Sequence, residues 1–477
     1  MEKRRRLALH WKIVIGLVLG VIVGIAIDRL WTGQTWAAIG VNDPRAFMAG
    51  RGNETFASGV ASEANAEAGF VAGAVRFIVN ANTLIGQLFF RSLRFIAVPI
   101  VICSLTVGVA SLGDLKRLGR IGGKTVGFFV FTTAISIAVG LTIADIASPG
   151  ERIDPAARAE MTAKYQSNVE ASRGRTSEVP SFWQQGLDLV PPNPFQALAT
   201  AQMLQVIVAA MALGAALTMI PSSKSGPVIA IFDALTDAIV MLVNTIMRLA
   251  PIAVFTLVAP AIVIMGLDVL KAVGVYCVVV IVGLATIMLI VYPLVLRLVA
   301  GVGFVRFFRA LSPAMLTAFS SSSSNATLPV TISCAINRLG VSERIASFAC
   351  PLGATINMAG TAMYQGVATV FIAQMYGMDL TIGQLAVIVL TATLAGIGTP
   401  GIPGAGVVML VIVLESVGVP PDGIAVILGV DRLLDMCRTV VNVTGDAAAA
   451  AVVAKTEGEL LSETEVEKRL AEGRIPE

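Results

Sequence analysis

The sequence predicts an all-α polytopic membrane protein, and composition, segment length and periodicity all favour that class. Of its 477 residues, 56% are hydrophobic and 14% are charged, whereas soluble domains carry about 25% charged residues. Several apolar stretches reach the ~20 residues that a membrane-spanning helix needs. None of them alternates with period two, which argues against a transmembrane barrel. A net charge of +3 with no basic block longer than four residues argues against a nucleic-acid partner.

The first apolar segment, residues 13–27, follows the basic sequence MEKRRR, and no small-residue cleavage site comes after it. It therefore predicts a first membrane helix rather than a signal peptide, with its basic end in the cytoplasm. Gly16, Gly20 and Gly24 recur every four residues, which predicts close packing against another helix. The polar residues 29–80 predict a long outside loop.

The next predicted elements alternate between membrane and water. A second span over 84–112 precedes a basic segment that marks the cytoplasmic side, with Lys116, Arg117, Arg120 and Lys124. A third span covers 125–147, and a polar outside segment covers 148–190. Three further apolar stretches follow at 194–220, 226–266 and 270–302. Together these elements predict an N-terminal six-helix region over 1–300. Residues 456–477 predict a cytoplasmic tail.

From residue 303 onward the apolar segments become shorter and are interrupted twice, by Ser320–Ser324 with the following Asn325–Pro329, and by Gly396–Gly406. Each interruption lies between two stretches too short to cross a ~30 Å hydrocarbon core. Each is followed by a fuller predicted helix, over 345–376 and 422–453. Non-helical backbone at membrane depth is tolerated around a cavity, so this layout predicts two re-entrant helical hairpins, an inverted repeat and a binding site between them. Residues 301–455 are the predicted core transport region.

Two other interpretations of these interruptions fail on context. A five-serine run is usually a flexible linker, but this one is flanked by apolar AMLTAF and TLPVTISCAI. Its hydroxyl and backbone N–H groups are better suited to a polar ligand at a helix start. Gly396, Gly398 and Gly401 match GxGxxG, but no strand precedes them and two prolines interrupt the segment, which excludes a dinucleotide site.

The last predicted span carries the strongest signal, a set of polar residues separated by 4, 3, 4 and 4 positions: Asp431, Asp435, Arg438, Asn442 and Asp446. On a helix they fall within a stripe about 80° wide. Four charges at membrane depth cost roughly 10–14 kcal/mol, so they need partners. Three carboxylates against one guanidinium leave a charge of −2 if all are ionised, which predicts bound cations or protons.

The residue types of this stripe suggest a ligand. The guanidinium fork of Arg438 suits a carboxylate, and Asp435 suits an ammonium. The hairpin tips supply donors for a second carboxylate, so aspartate and glutamate fit. Asp446 and Asn442 offer hard oxygens for an alkali cation.

Several long motifs resemble one family: VPPNPFQALATAQMLQVIVAAMALG, MRLAPIAVF, SSSSNATLPVT, PLGATINMAGTAMYQGV, GIGTPGIPGAG and DRLLDMCRTVVNVTGDAAAAAVVAK. They are similar to the glutamate transporter homologue family, the dicarboxylate/amino acid:cation symporters. The resemblance implies eight transmembrane helices plus two hairpins, a homotrimer in the bacterial inner membrane, and cytoplasmic termini. It also implies an elevator mechanism, in which a mobile domain that includes helices 3 and 6 slides past a trimerisation scaffold and the second hairpin acts as the gate.

The resemblance also implies ligand sets. Substrate would contact Ser324, Met358, Thr361, Ile402, Asp435, Arg438, Thr439 and Asn442. One sodium ion would be bound by Gly353, Asn357, Asn442 and Asp446, and a second by Thr355, Gly396, Ile397 and Thr399. A third would be bound by Phe129, Thr132, Thr133, Asn357 and the aspartate of the family's NMDGT motif.

The sequence departs from this pattern at three positions. Ala359 replaces the NMDGT aspartate, so the third sodium site lacks its only carboxylate and is expected to be weakened. Gln365 stands where the animal carriers have a glutamate, which argues against their route of proton coupling. Ser322 stands where some archaeal relatives have an arginine.

The predicted function is therefore import of acidic amino acids, L-aspartate or L-glutamate, coupled to sodium, with no other cofactor. A neutral amino acid carrier and a C4-dicarboxylate carrier of the same family are alternatives, as is a substrate-gated anion channel or sensor. No nucleophile–base pair or cofactor motif is present and the single histidine is His10, so an enzyme is not expected. The five cysteines lie in apolar stretches without a CxxC pair, which is typical of packing residues.

Overall fold

The computed structural model of the chain describes residues 9–31, 35, 70–111, 120–153, 190–200, 202–265 and 268–471. These residues form helices joined by short connections. The first nine are α1 Leu9–Leu30, α2 Phe70–Ser111, α3 Arg120–Ala147, α4 Pro194–Ala199, α5 Met203–Met219, α6 Ser222–Met247, α7 Ala250–Met265, α8 Asp268–Thr286 and α9 Tyr292–Val295. The others are α10 Phe304–Ser321, α11 Ser324–Asn337, α12 Glu343–Ile356, α13 Ala359–Met375, α14 Ile382–Gly398, α15 Ala405–Ser416, α16 Ile424–Glu457 and α17 Glu463–Ala471. The described part of the chain is therefore all-helical, as predicted.

Most of the two predicted outside loops, the basic residues Lys116 and Arg117, and the end of the tail lie outside the described residues. One boundary is wrong, because α2 begins at Phe70 and not near residue 84. The helix continues beyond its apolar part through polar residues such as Asn80 and Asn82, which hydropathy alone assigns to the loop. Asn82 Nδ2 donates to the carbonyl of Thr256 on α7 at 2.7 Å, which ties this polar end to the bundle.

The predicted apolar stretch 226–266 is two helices rather than one. α6 ends at Met247, a turn follows at Arg248 and Leu249, and α7 starts at Ala250. Pro251 is the second residue of α7. A proline is accommodated there because the first N–H groups of a helix have no intrahelical partner.

The predicted continuous helix over 345–376 is also wrong, because it breaks between α12 and α13. Asn357 and Met358 have φ/ψ of −94°/84° and −108°/44°, outside the helical region. The side chain of Asn357 donates to Asp446 Oδ1 at 2.8 Å, and the N–H of Gly360 donates to Asn442 Oδ1 at 2.8 Å. The second contact gives the N–H of Gly360, in the first turn of α13, a partner outside its own helix. The break therefore brings polar backbone next to the charged stripe.

The glycine repeat of α1 packs as predicted. A Cβ placed on Gly16 would lie 2.2 Å from the carbonyl oxygen of Pro251, and one on Gly24 would lie 2.9 Å from that of Ala259. Both carbonyls belong to α7. Only residues without a side chain permit this approach.

Helix α16 lies at the centre of the second half of the bundle and contacts α10, α11, α12 and α13. Helix α3 packs on α13 and α8, while α2 packs on α5, α6 and α7. Among the described helices, four are long and apolar enough to cross a membrane, within Phe77–Ala110, Arg120–Arg152, Ser222–Met247 and Val269–Ala300. The total of eight spans and the division into scaffold and mobile region stay predictions.

Candidate substrate and cation site

The tips of two helical hairpins meet at the site. The first hairpin is α10–α11, and its tip turns at Ser322, whose φ of 51° is left-handed. Ser323 caps α11 by accepting from the N–H of Ala326 at 3.2 Å, and its hydroxyl donates to the carbonyl of Gly401 at 2.7 Å. Gly401 belongs to the tip of the second hairpin, α14–α15. The serine run is thus an ordered helix start in contact with the other tip, not a linker.

Gly401 accepts a second hydrogen bond, from the N–H of Asn325 at 3.2 Å. A Cβ at Gly401 would lie 2.8 Å from Asn325 Oδ1 and 3.1 Å from the carbonyl of Ala354, so a glycine is needed there. The predicted substrate residues Ser324 and Ile402 lie at these two tips, and Ser324 is buried as the first residue of α11.

The predicted polar stripe lies on one uninterrupted helix, α16. Its five residues are between 0% and 6% exposed: Asp431, Asp435, Arg438, Asn442 and Asp446. A stripe that is merely the solvated face of a surface helix is excluded by this burial. The stripe therefore has to find its partners inside the protein.

The first half of the stripe pairs internally. Arg438 Nη1 lies 3.0 Å from Asp431 Oδ1, and Arg438 Nη2 donates to Asp435 Oδ1 at 2.8 Å. The guanidinium carbon lies 3.8 Å from the ring centroid of Tyr364, a cation–π contact. Asp435 Oδ2 accepts from the N–H of Gly404 at 3.1 Å, which ties the second hairpin to these charges.

Arg432 also belongs to this half, and the spacing argument missed it. Its Nη1 lies 3.5 Å from Asp435 Oδ2. Arg432 comes one position after Asp431, so its Cα lies about 100° around the helix from that of Asp431 and outside the stripe. Its long side chain nevertheless reaches Asp435. Two aspartates and two arginines make this half formally neutral, and the whole stripe carries −1 rather than the predicted −2.

Arg438 retains hydrogen-bonding capacity despite its ion pairs. It is fully buried, and among the described residues its Nε has no hydrogen-bond partner. A buried donor without a partner costs free energy. A ligand carboxylate would satisfy it with a charge-assisted hydrogen bond.

Asn442 joins α16 to the break between α12 and α13. Its Nδ2 donates to Thr361 Oγ1 at 3.0 Å and contacts Met358 Sδ at 3.3 Å. A Cβ at Gly406 would lie 3.1 Å from Thr361 Cγ2 and 3.4 Å from the guanidinium carbon of Arg438. The structure thus brings together four predicted substrate residues: Met358, Thr361, Arg438 and Asn442. The hydroxyl of Thr439, another predicted contact, donates to the carbonyl of Asp435 at 2.8 Å.

The second half of the stripe is different, because Asp446 is 2% exposed and forms no ion pair with the described residues. Its Oδ1 accepts from Asn357 Nδ2, which also lies 3.3 Å from the carbonyl oxygen of Asn442. A Cβ at Gly353 would lie 2.3 Å from Asp446 Oδ1. The four residues predicted for the first sodium ion therefore form one cluster.

The residues predicted for the other two sodium ions lie on α3, α12 and α14. Of the residues predicted for the second ion, Gly396 adjoins Met358. The hydroxyls of Thr355 and Thr399 donate to carbonyls of their own helices. The carbonyl of Ile397 faces Gly108 on α2. The ring of Phe129 adjoins Gly353, and Thr132 and Thr133 are buried beside it on α3. Ala359 is fully buried at the start of α13.

Apolar membrane helices around a buried, ion-paired polar site that two hairpins close define a carrier with an internal binding site. The sequence model of the "Sodium:dicarboxylate symporter family" matches residues 9–456, and the chain belongs to that family. Its members are transporters, not enzymes, and this one is a membrane symporter.

Three relatives illustrate the similarity. The chain is 36% identical over 381 residues to a "Proton/glutamate-aspartate symporter" of Escherichia coli (strain K12), covering 80% of this chain and 86% of the relative. It is 33% identical over 459 residues to a "Proton/sodium-glutamate symport protein" of Bacillus caldotenax, covering 95% and 96%. It is 33% identical over 421 residues to "Excitatory amino acid transporter 3" of Mus musculus, covering 80% of each.

Proposed function

We propose that this chain is a secondary active symporter that imports L-aspartate or L-glutamate together with sodium. The observation that carries the proposal is the division of α16. A guanidinium with an unmatched donor precedes an unpaired buried carboxylate by eight residues, which is about 12 Å along the helix. One is suited to an acidic substrate and the other to a cation.

The first half of the stripe, which contains Arg438 and Asp435 and is called the substrate half below, supports an acidic amino acid over its alternatives. A carboxylate of the ligand satisfies Arg438, and its ammonium pairs with Asp435. The ligand's second carboxylate meets the N–H and hydroxyl groups of the hairpin tips at Ser324 and Ile402. A C4-dicarboxylate lacks the ammonium, and a neutral amino acid lacks the second carboxylate. The names of the relatives, which mention glutamate and aspartate, agree with this choice.

The second half of the stripe, which contains Asp446 and is called the cation half below, supports coupling of transport to a cation. A buried carboxylate without a cationic partner is strongly destabilising, so a cation or proton that enters the Asp446 cluster stabilises the folded carrier. Carboxylate, amide and carbonyl oxygens are the hard ligands that an alkali cation prefers. We propose sodium here, through Gly353, Asn357, Asn442 and Asp446. A second ion is proposed at Thr355, Gly396, Ile397 and Thr399. The third site, at Phe129, Thr132, Thr133 and Asn357, is proposed to be weakened by Ala359.

The wider arrangement follows the family. We propose a homotrimer in a bacterial inner membrane with cytoplasmic termini, and an elevator motion of the core transport region against a scaffold. The contact between the Gly404 N–H and Asp435 supports the second hairpin as the gate, since any ligand that engages Asp435 competes with that hydrogen bond.

Uptake of radiolabelled L-aspartate into proteoliposomes tests the proposal. An inward sodium gradient should drive accumulation, and an inward proton gradient without sodium should not. L-glutamate should compete, whereas L-serine and succinate should compete weakly. Proton-driven uptake without sodium would overturn sodium coupling in favour of the proton coupling that the name of the Escherichia coli relative states. Substrate-gated current without accumulation would favour the channel.

A further inference from the structure

The helical segment that begins with α8 and ends at Ala300 is distorted around a buried tyrosine. After α8 the chain forms a π-helical segment, Ile287–Val291, then the short α9 from Tyr292, then a second π-helical segment, Leu296–Ala300. Pro293 contributes to this distortion because it has no N–H to donate within the helix. Single π-helical turns are rare and concentrate at functional sites, where they reorient side chains. The side chain that these turns place is that of Tyr292.

The hydroxyl of Tyr292 is buried without a hydrogen bond. The residue is 0% exposed, and among the described residues its Oη has no partner. Burying a hydroxyl in this way is unfavourable, and a tyrosine chosen only for packing would be served as well by phenylalanine. The hydroxyl therefore points to an interaction with something other than the surrounding side chains.

The hydroxyl points at the cation half of the stripe. A Cβ at Gly445, the residue before Asp446, would lie 2.5 Å from Tyr292 Oη and 2.6 Å from Asn357 Nδ2. Tyr292 Oη and Asn357 Nδ2 therefore lie within about 5 Å of each other beside this glycine. Asn357 is the residue whose Nδ2 donates to Asp446, and its Oδ1 also has no partner among the described residues. Two oxygens without a hydrogen-bond partner, Tyr292 Oη and Asn357 Oδ1, thus belong to residues around the amide that donates to Asp446.

We propose that the Tyr292 hydroxyl oxygen is a further ligand of the cation bound at Asp446 and Asn357. The inference rests on the proposed sodium coupling and extends its ligand set beyond α12 and α16 to the π-helical turn. Phenol, amide and carboxylate oxygens together form an all-oxygen site for an alkali cation. Gly445 leaves the space in which the hydroxyl approaches.

Tyr292→Phe tests the inference, because it removes one oxygen and preserves the ring. The sodium concentration that gives half-maximal L-aspartate uptake in proteoliposomes should rise about three- to ten-fold, the size of one lost polar contact. The KM for L-aspartate at saturating sodium should stay within about two-fold, because Arg438 is untouched. The response to lithium relative to sodium should also change, which a packing defect would not produce.

Tyr276→Phe is the matched control. Tyr276 is also 0% exposed, but its ring stacks on Phe371 with centroids 4.8 Å apart and tilts against Tyr364 at 6.5 Å. Tyr364 is the ring that contacts Arg438, so Tyr276 lies on the substrate side of the stripe. Its sodium and lithium responses should equal those of the wild type.

A second readout does not depend on transport. Sodium should raise the unfolding temperature of the purified protein, and Tyr292→Phe should need about three- to ten-fold more sodium for the same rise. Identical sodium titrations of the wild type and Tyr292→Phe in both assays would overturn the role of Tyr292 and leave the proposed function standing. A wild type with no sodium response in either assay would overturn the proposed function and this inference together.

Discussion

The two halves of the polar stripe on α16 share a helix and a degree of burial but differ in how their charges are balanced. The half that contains Asp431, Arg432, Asp435 and Arg438 is neutral, since each aspartate faces a guanidinium. The half that contains Asn442 and Asp446 holds one carboxylate, supported by an asparagine amide and by no ion pair among the described residues. Burial is costly for both, yet the protein compensates only one.

This difference suggests how a single helix can couple two ligands. A neutral cluster can exchange its internal ion pairs for those of a ligand that carries its own opposite charges. An uncompensated carboxylate gains most from a mobile cation. Asn442 links the two halves through α13: its side chain bonds Thr361, which flanks Gly406 together with Arg438, while its carbonyl lies near Asn357. Filling one half can therefore alter the geometry of the other.

The largest effect is expected from Arg438→Lys. Lysine keeps the positive charge that Asp431 and Asp435 require, so the fold survives, but it has no planar fork and cannot bond a carboxylate bidentately. We expect kcat/KM for L-aspartate to fall about 100-fold, about 3 kcal/mol of lost transition-state and substrate binding. The sodium-induced rise in unfolding temperature without substrate should persist. Undiminished aspartate uptake would show that Arg438 is not the carboxylate receptor.

A ten-fold effect confined to the cation half is expected from Gly353→Ala. The added methyl would lie 2.3 Å from Asp446 Oδ1, so the carboxylate must move. We expect the sodium requirement of uptake to rise about 10-fold, with little change in the KM for aspartate at saturating sodium.

Gly406→Ala is the counterpart in the substrate half. Its methyl would lie 3.1 Å from Thr361 Cγ2, a tight contact with a flexible side chain, and 3.4 Å from the guanidinium carbon of Arg438. It should raise the KM for aspartate about two-fold and leave the sodium requirement unchanged. Equal sodium shifts in the two variants would contradict the division of the stripe.

A smaller effect than that of Gly353→Ala is expected from Arg432→Gln, which changes the formal charge of the substrate half from 0 to −1. A ligand of net charge −1 should be disfavoured, and a neutral amino acid should not. We expect the KM for L-aspartate to rise about three- to five-fold, about 1 kcal/mol for a partly screened charge. Inhibition of this uptake by L-serine should strengthen relative to inhibition by L-glutamate. A parallel loss for acidic and neutral compounds would indicate a merely structural role.

Regular spacing on α16 predicted the stripe, and the apolar context of the segment predicted its burial. The two interruptions of the apolar pattern predicted hairpin tips at the site. Arg432 was missed because helical phase counts the position of Cα and ignores the reach of a long side chain. The break at Asn357 was missed because the apolar pattern continues across it. Its cause is a tertiary contact with Asn442 and Asp446, which local sequence does not encode.

Two other features that the sequence analysis missed are each marked by a proline. Pro251 marks the start of α7, inside a stretch that hydropathy alone presents as one span. Pro293 follows Tyr292 in an apolar segment, and a proline within a helix indicates a distortion there. The direction of that distortion could not be predicted. The Tyr292 hydroxyl points towards Gly445 because of the packing of the whole bundle, which the local sequence does not encode.

The central claim is that Asp446 binds the coupling cation while Arg438 binds the substrate. It is tested most directly by L-aspartate binding to the purified protein over a series of sodium concentrations, for the wild type, Asp446→Asn and Asp431→Asn. The dependence of log Kd on log sodium concentration counts the ions linked to binding. The slope should decrease by about one ion in Asp446→Asn. Asp431→Asn should weaken binding at every sodium concentration and keep the wild-type slope. Equal slopes for the wild type and Asp446→Asn would contradict the account.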